Sequence, residues 1–209
     1  MSVGTVILAN GDFPASPHSL HILQEAERIV CCDGAAQALL AYGIAPTVVI
    51  GDLDSLHDNV KDRLCGRIIQ VNEQDTNDLN KAFRYCVSQG WLDITILGAT
   101  GKREDHTLGN ISLLADFAKQ APAIRMVTDY GCFLPMLTSG TIICTPGQQV
   151  SIFALDPDTP IVSHGLKYPL NGLAPSRWWE ATLNEALGDS FTLEFPKGKS
   201  LLLFLAWLV

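Results

Sequence analysis

Six short apolar runs, with helix-like stretches between them, constrain this chain more than any other feature. They are Thr5–Ala9, Ile29–Cys32, Thr47–Ile50, Ile68–Val71, Ile94–Leu97 and Arg125–Thr128. Each is a continuous run and not a two-residue alternation, so both faces of the strand need cover, as in a sheet packed between helices. The stretches 19–27, 35–42, 58–64, 75–88 and 106–119 suit those helices. Strands joined by helical crossovers spell an α/β fold with a doubly wound, mostly parallel six-stranded sheet.

Past about residue 135 the rhythm changes. Shorter strands are expected at Gly140–Cys144, Val150–Ala154, Pro160–Ser163, Phe191–Phe195 and Leu201–Leu208. Turn residues punctuate them at Pro146-Gly147, Asp156-Pro157-Asp158 and Pro196-Lys197-Gly198. With no helix in this part, the expectation is a smaller all-β sandwich over residues 136–209, after an α/β domain over 1–135 and a linker within 129–139.

The chain of 209 residues carries 22 acids against 14 bases, a formal charge of −8, and 16 of those acids fall within residues 1–135. This balance argues against a nucleic-acid partner or an anionic membrane surface, either of which asks for a basic face. The longest apolar run, Leu201–Val209, is about half of what a bilayer crossing needs. The first residues lack the charged-then-apolar pattern of a secretory signal, and the six cysteines form no C-x-x-C pair. A cytoplasmic protein with reduced, mostly buried thiols is expected.

Ligands of doubly wound sheets bind beyond the carboxyl ends of the strands. There the chain places Asn10-Gly11-Asp12, Asp33-Gly34-Ala35, Gly51-Asp52-Leu53-Asp54-Ser55, Gln74-Asp75-Thr76-Asn77-Asp78, and a loop from Gly98 through Gly101 and Arg103 to Asp105 and His106. At least seven carboxylates would share one sheet edge and raise one another's pKa unless a cation sits among them. Oxygen-only donors favour Mg²⁺. Asp52 and Asp54, two apart after a strand, would lean to the same side if the backbone stays extended. Asp75 and Asp78 resemble a helix-capping pair that also faces a metal. Lys81 lies within reach of a phosphate held there, and Arg103 offers a planar fork to phosphate oxygens. The glycines Gly98 and Gly101 permit close backbone approach. Asn10 and Thr76, at the ends of the first and fourth strand loops, join them as nucleotide-binding candidates. Beyond residue 135, Trp178 and Trp179, beside Arg177, Glu180 and Asn184, are either core or an aromatic wall for a flat or cationic ligand.

Taken together, these blocks resemble the thiamine pyrophosphokinase family. The resemblance rests on Cys32-Asp33-Gly34-Ala35-Ala36, on Gly51 to Ser55, on Gln74 to Ala82, and on Gly98 to His106 with Asn110. It is looser at Gly165 to Leu170 and at Asn184-Glu185. It implies Mg²⁺-dependent transfer of the terminal pyrophosphate of ATP to the thiamine hydroxyl, with release of AMP. It further implies a homodimer with thiamine bound near the subunit interface. Asp52, Asp54, Asp75, Asp78 and Asp105 would surround Mg²⁺ and the triphosphate, with Asp52, Asp54, Asp75 and Asp105 as metal ligands. Lys81 and Arg103 would touch phosphate oxygens, and Asp33 with Gly34 would lie by the nucleotide. Trp178, Trp179 and Asn184 would serve thiamine. The chain departs from the family at Leu183, where a small hydroxyl residue is usual. A metal-dependent phosphatase or nucleotide hydrolase, and a non-catalytic thiamine or nucleotide sensor, are the readings from other classes.

Overall fold

The computed structural model describes residues 3–54 and 56–208; Ser55 of the Asp52 loop and Val209 of the last apolar run lie outside the described residues. The chain divides into two compact units, Met1–Leu113 with Gln120–Asp129, and Leu114–Lys119 with Tyr130–Val209.

In the first unit strands and helices alternate: β1 (Val3–Leu8), α1 (Pro17–Gln24), β2 (Ala26–Cys32), α2 (Ala35–Ala41), β3 (Val48–Gly51), α3 (Asp58–Arg63), β4 (Ile68–Gln70), α4 (Asp78–Ser88), β5 (Ile94–Leu97), α5 (Glu104–Ser112) and β6 (Arg125–Val127). The six strands lie in the order β6-β5-β1-β2-β3-β4, and every pairing is parallel. Strands β3 and β5 are buried along their whole length, as continuous apolar runs require. Ile7 of β1 pairs with Val30 on one side and Ile96 on the other, and all three are sealed from solvent.

Local chemistry explains the helix ends. Ser16 caps α1 by accepting from the Ser19 N–H at 3.1 Å, and Pro17 supplies a first-turn φ. Helix α4 starts later than the sequence suggests: its cap is Asn77, whose Oδ1 accepts from the Asn80 N–H at 3.0 Å, and Asp78 opens the first turn. The single helix expected over 106–119 is two, α5 and a short α6 (Leu114–Ala118) that belongs to the second unit.

The second unit adds to α6 the strands β7 (Gly131–Met136), β8 (Gly140–Ile143), β9 (Gln149–Ala154), β10 (Val162–His164), β11 (Asn184–Glu185), β12 (Ser190–Glu194) and β13 (Leu201–Ala206). Strands β11-β9-β13-β7 form one antiparallel group and β10-β12-β8 another. Val150, Ile152, Leu201 and Leu203 from the first meet Phe191 and Leu193 from the second in one core, which is the expected sandwich. Helix α6 packs on β7 and β13. The stretch read as a linker carries β7. Pro135, which gives no N–H to a ladder, disguised it, and Gly131 is required because a Cβ there would stand 2.4 Å from the Leu205 carbonyl.

Asp129, at the end of β6, is occupied structurally. Its carboxylate accepts from the N–H groups of Ala15 at 3.1 Å and Ser16 at 2.9 Å, at the start of α1. Burial pushes its pKa up, but the Ser16 and Ala15 donors outweigh that and hold it below the usual carboxylate range. The charged form therefore stabilises the fold above that range, and the contribution disappears as pH falls through the folded-state value. Asp129→Asn is expected to lose about 1 kcal/mol at neutral pH. The gap to the parent chain should close in urea unfolding at successively lower pH; a gap independent of pH would assign the loss to shape alone.

Candidate active site

Strand order reverses at β1: β2, β3 and β4 extend to one side, β5 and β6 to the other. Right-handed crossovers to the two sides run over opposite faces, so a crevice opens beyond the carboxyl ends of β1 and β5. A cleft of about 390 Å³ lies there, within the size range of small-ligand sites. The loops behind it stay zipped past the strand ends. The Ala9, Gly11 and Asp12 N–H groups donate to the carbonyls of Leu97 at 2.8 Å, Gly98 at 2.6 Å and Thr100 at 2.9 Å. A Cβ on Gly11 would stand 2.3 Å from the Thr100 carbonyl and 2.5 Å from that of Gly98, so only glycine fits.

Asp33, Asp52 and Asp78 bring carboxylates to the cleft lining. Asp52 accepts from the Asp54 N–H at 3.2 Å and from the Gln74 amide at 3.3 Å, and these donors lower its pKa in that order of importance. The backbone does not stay extended here. Leu53 adopts φ +70°, turning the chain between the two aspartates; Asp52 faces the cleft, while Asp54 is exposed and outside its lining. Asp75 is also exposed and outside it. Asp105 is held by its own neighbour: Arg103 donates to it at 3.1 and 2.5 Å and the His106 N–H at 2.8 Å, which lowers its pKa.

The cationic side consists of Lys81, Lys102 and Arg103. Lys81 is 4% exposed, and its ammonium donates to Asp78 at 3.1 Å. The apolar face of α4, with Leu79, Ala82, Phe83 and Cys86 buried around it, holds that lysine in the wall. Lys102, at φ +56°, donates to the Asn10 carbonyl at 3.0 Å.

The remaining candidates divide in the same way. Asn10, Thr76, Gly101 and Asn110 line the cleft; Gly34 and Gly98 support it from outside the lining. Gly34 precedes the first turn of α2, and Gly98, at φ +64°, lets Ala9 approach. The Thr76 hydroxyl donates to Glu73, which also accepts from Arg84 at 2.6 Å. Gly11, Gln74, Asn77 and Lys102 line the cleft as well. The sequence places all four in strand-end loops, but nothing in their residue types singled them out there as binding candidates.

The lining offers hard donors for a metal. Its carboxylates are oxygen ligands, and the one thiol, Cys32, is held protonated by burial and by neighbouring charges led by Asp78. Among the described residues no three His, Cys, Asp or Glu side chains form a ready metal cage. Mg²⁺ asks for less: one or two carboxylates, with waters and substrate phosphates completing its shell. The residues present fit that ion.

In the second unit Trp178 and Trp179 are exposed, Trp179 at 67%, and Trp178 meets Phe153 edge-on at 5.8 Å. Leu183 is 72% exposed at φ +56°. Asn184 is buried; its amide donates to the Tyr168 carbonyl at 2.7 Å and accepts from the Tyr168 and Glu185 N–H groups. It is engaged as a strut.

The model of the thiamin pyrophosphokinase catalytic domain matches residues 20–126, and that of the family's substrate-binding domain matches 131–203. The chain belongs to the thiamin pyrophosphokinase family. A thiamine pyrophosphokinase of Bacillus subtilis is 27% identical over 202 residues, covering 92% of this chain and 94% of its own. Thiamin pyrophosphokinase 1 of Caenorhabditis elegans is 25% identical over 183 residues, covering 80% and 75%. The fold matches the crystal structure of the Bacillus subtilis enzyme at a TM-score of 0.81 and 24% identity, covering 98% of this chain and 100% of that one. Among the described residues, no helix is long and apolar enough to cross a membrane. The family's catalytic match begins after the β1 loop, so Asn10 and Gly11 belong to the cleft on geometry alone.

That loop provides a direct test. Gly11→Ala is expected to destabilise the chain by about 2 kcal/mol or more, since backbone atoms must move. Gly109→Ala, in α5 with nothing near its Cβ, is expected to be neutral or stabilising by up to about 1 kcal/mol. Thermal unfolding of the two variants side by side measures the contrast.

Proposed function

We propose that this chain transfers the pyrophosphoryl group of ATP to the hydroxyl of thiamine, giving thiamine diphosphate and AMP. The observation that carries the reading is Lys81: a buried ammonium in the wall of an open cleft, with Asp78 as its hydrogen-bonding carboxylate. Burying an ammonium is costly unless further anionic partners share it, and polyphosphate supplies them.

In this reading Lys81 and Arg103 hold phosphate oxygens, and Arg103 exchanges Asp105 for phosphate when the nucleotide enters. Asp33 and Gly34 lie by the nucleotide, as do Asn10, Thr76, Gly98, Gly101 and Asn110. Asp52, which already faces the cleft, would hold Mg²⁺; Asp54, Asp75 and Asp105, outside the lining, would join it only by turning inward, Asp105 once Arg103 has left it. Mg²⁺ bound there supplies charge neutralisation to the phosphate oxygens. The thiamine hydroxyl oxygen forms a bond to the β-phosphorus, and the bond from that phosphorus to the α–β bridging oxygen breaks. AMP leaves with the electron pair, and the hydroxyl proton passes to a cleft carboxylate. Lys81 and Arg103 stabilise charge that grows on the leaving group. Trp178 and Trp179 give the thiamine ring an aromatic surface suited to its cationic thiazolium, and Asn184 braces that region. A homodimer in the cytoplasm completes the proposal, supported by the exposed apolar side chains Ile143, Leu183 and Leu187.

Incubating the protein with Mg-ATP, with and without thiamine, and resolving AMP, ADP and thiamine diphosphate tests the reading. Thiamine-dependent AMP supports it; inorganic phosphate without thiamine overturns it. Asp52→Asn is expected to lower AMP formation by about 10²-fold or more with an unchanged circular dichroism spectrum. Trp179→Ala is expected to raise KM for thiamine about tenfold, roughly 1.4 kcal/mol of stacking, and to leave KM for ATP nearly unchanged. Equal rises in both constants would make this tryptophan structural.

A further inference from the structure

Helix α5 buries none of its residues in this chain, although it carries His106 and Asn110 into the cleft lining and begins directly after Arg103. With only Thr107, Asn110 and Ile111 half-buried, polar ties carry a large share of its placement. The Asn110 amide donates to the Ala99 carbonyl at 2.9 Å, and the Asn110 carbonyl oxygen accepts from the Asn77 amide at 3.0 Å. Asn77 is itself the cap of α4, its own carbonyl oxygen committed to the Asn80 N–H.

Both ends of this chain of bonds are backbone groups with a fixed role. The Asn80 N–H only donates and the Ala99 carbonyl only accepts, so both amides have one allowed orientation, and the bond between them runs from Asn77 to Asn110. The chain spans from the start of the helix that holds Asp78 and Lys81 to the helix that follows Arg103.

We propose that Asn77 is a positioning residue for the transfer reaction: through Asn110 it fixes α5 against the start of α4, and so fixes Arg103 relative to Asp78 and Lys81. This rests on the phosphoryl-transfer reading above. An error of about 1 Å between groups that hold one polyphosphate can cost about 10²-fold in rate. The tie is built from side chains, while the β1 and β5 loops are tied by backbone.

Asn77→Asp separates this role from helix capping. Aspartate caps as well as asparagine and favours the helix dipole, but it sets a carboxylate oxygen against the Asn110 carbonyl oxygen and cannot donate. Asn77→Ser, a neutral cap too short to reach Asn110, controls for the added charge. Both variants are expected to unfold at the parent temperature within a few degrees. Both should lose about tenfold or more in kcat, with KM for thiamine unchanged and less than about a threefold change in affinity for a non-hydrolysable ATP analogue. In a double-mutant cycle with Asn110→Ser, the second substitution should cost less once Asn77 has been changed. Wild-type kcat in both variants, or additive losses in the cycle, would overturn the proposal while leaving the activity standing. A parent chain that forms no AMP from ATP and thiamine would bring down both.

Discussion

Strand β1 hydrogen-bonds in parallel to β2 on one side and to β5 on the other, and that placement fixes where a ligand can sit. Because the chain order reverses there, the following helices leave over opposite faces, and the space between them stays open. The opening has a firm back wall. Three successive backbone bonds continue the pairing of β1 with β5 beyond the last strand residues, and Gly11 lets the two backbones come that close. The side chains that face the cleft are then carried by loops whose roots cannot slide.

The electrostatics of that opening follow from which carboxylates are already committed. Asp129 is spent on the start of α1, Asp78 on Lys81 and Asp105 on Arg103. Much of what was legible in the sequence as one acidic sheet edge is therefore ion pairs and caps, while Asp52 faces the cleft on amide donors. The two cation pairs differ in kind. Arg103–Asp105 is solvent-exposed and easily exchanged, whereas Lys81 is fixed in the wall. A polyphosphate entering such a site meets one cation that waits in place and one that must turn toward it.

Hydrophobic pattern made the scaffold readable. All six parallel strands overlap the continuous apolar runs that predict them; burial on two faces leaves no room for charged residues in β3 and β5, whereas β4, at the sheet edge, leaves Ile69 and Gln70 exposed. Strand β7 escaped because Pro135 and Gly131 read as linker, and their fit depends on partners in β13 far along the chain. Similar reasons hid the finer geometry of the site. Nothing local to Asp52-Leu53-Asp54 announces that a leucine will take a left-handed conformation. The choice of Asn77 over Asp75 as the cap of α4 depends on where the loop after β4 is tied. Asn184 reads as a polar ligand by type, yet it is buried with its amide turned to the Tyr168 backbone.

Strain completes the argument. Five described residues other than glycine have positive φ, and three of them, Asp33, Leu53 and Lys102, stand on loops around the cleft. Each such residue costs on the order of 1–3 kcal/mol unless its surroundings over-determine it. For Asp33 the surroundings are visible: its N–H donates to the Ile50 carbonyl at 2.9 Å, and Gly51 is bare where a Cβ would stand 2.8 Å from the Asp33 Cβ. For Leu53 they are the burial of its side chain and the Asp54 N–H donated to Asp52. For Lys102 they are the ammonium contacts with Asn10 across the two zipped loops. A relaxed turn at any of these points would aim the adjoining side chains elsewhere. The strain is thus stored where direction matters, and the sheet beneath supplies the rigidity that keeps it.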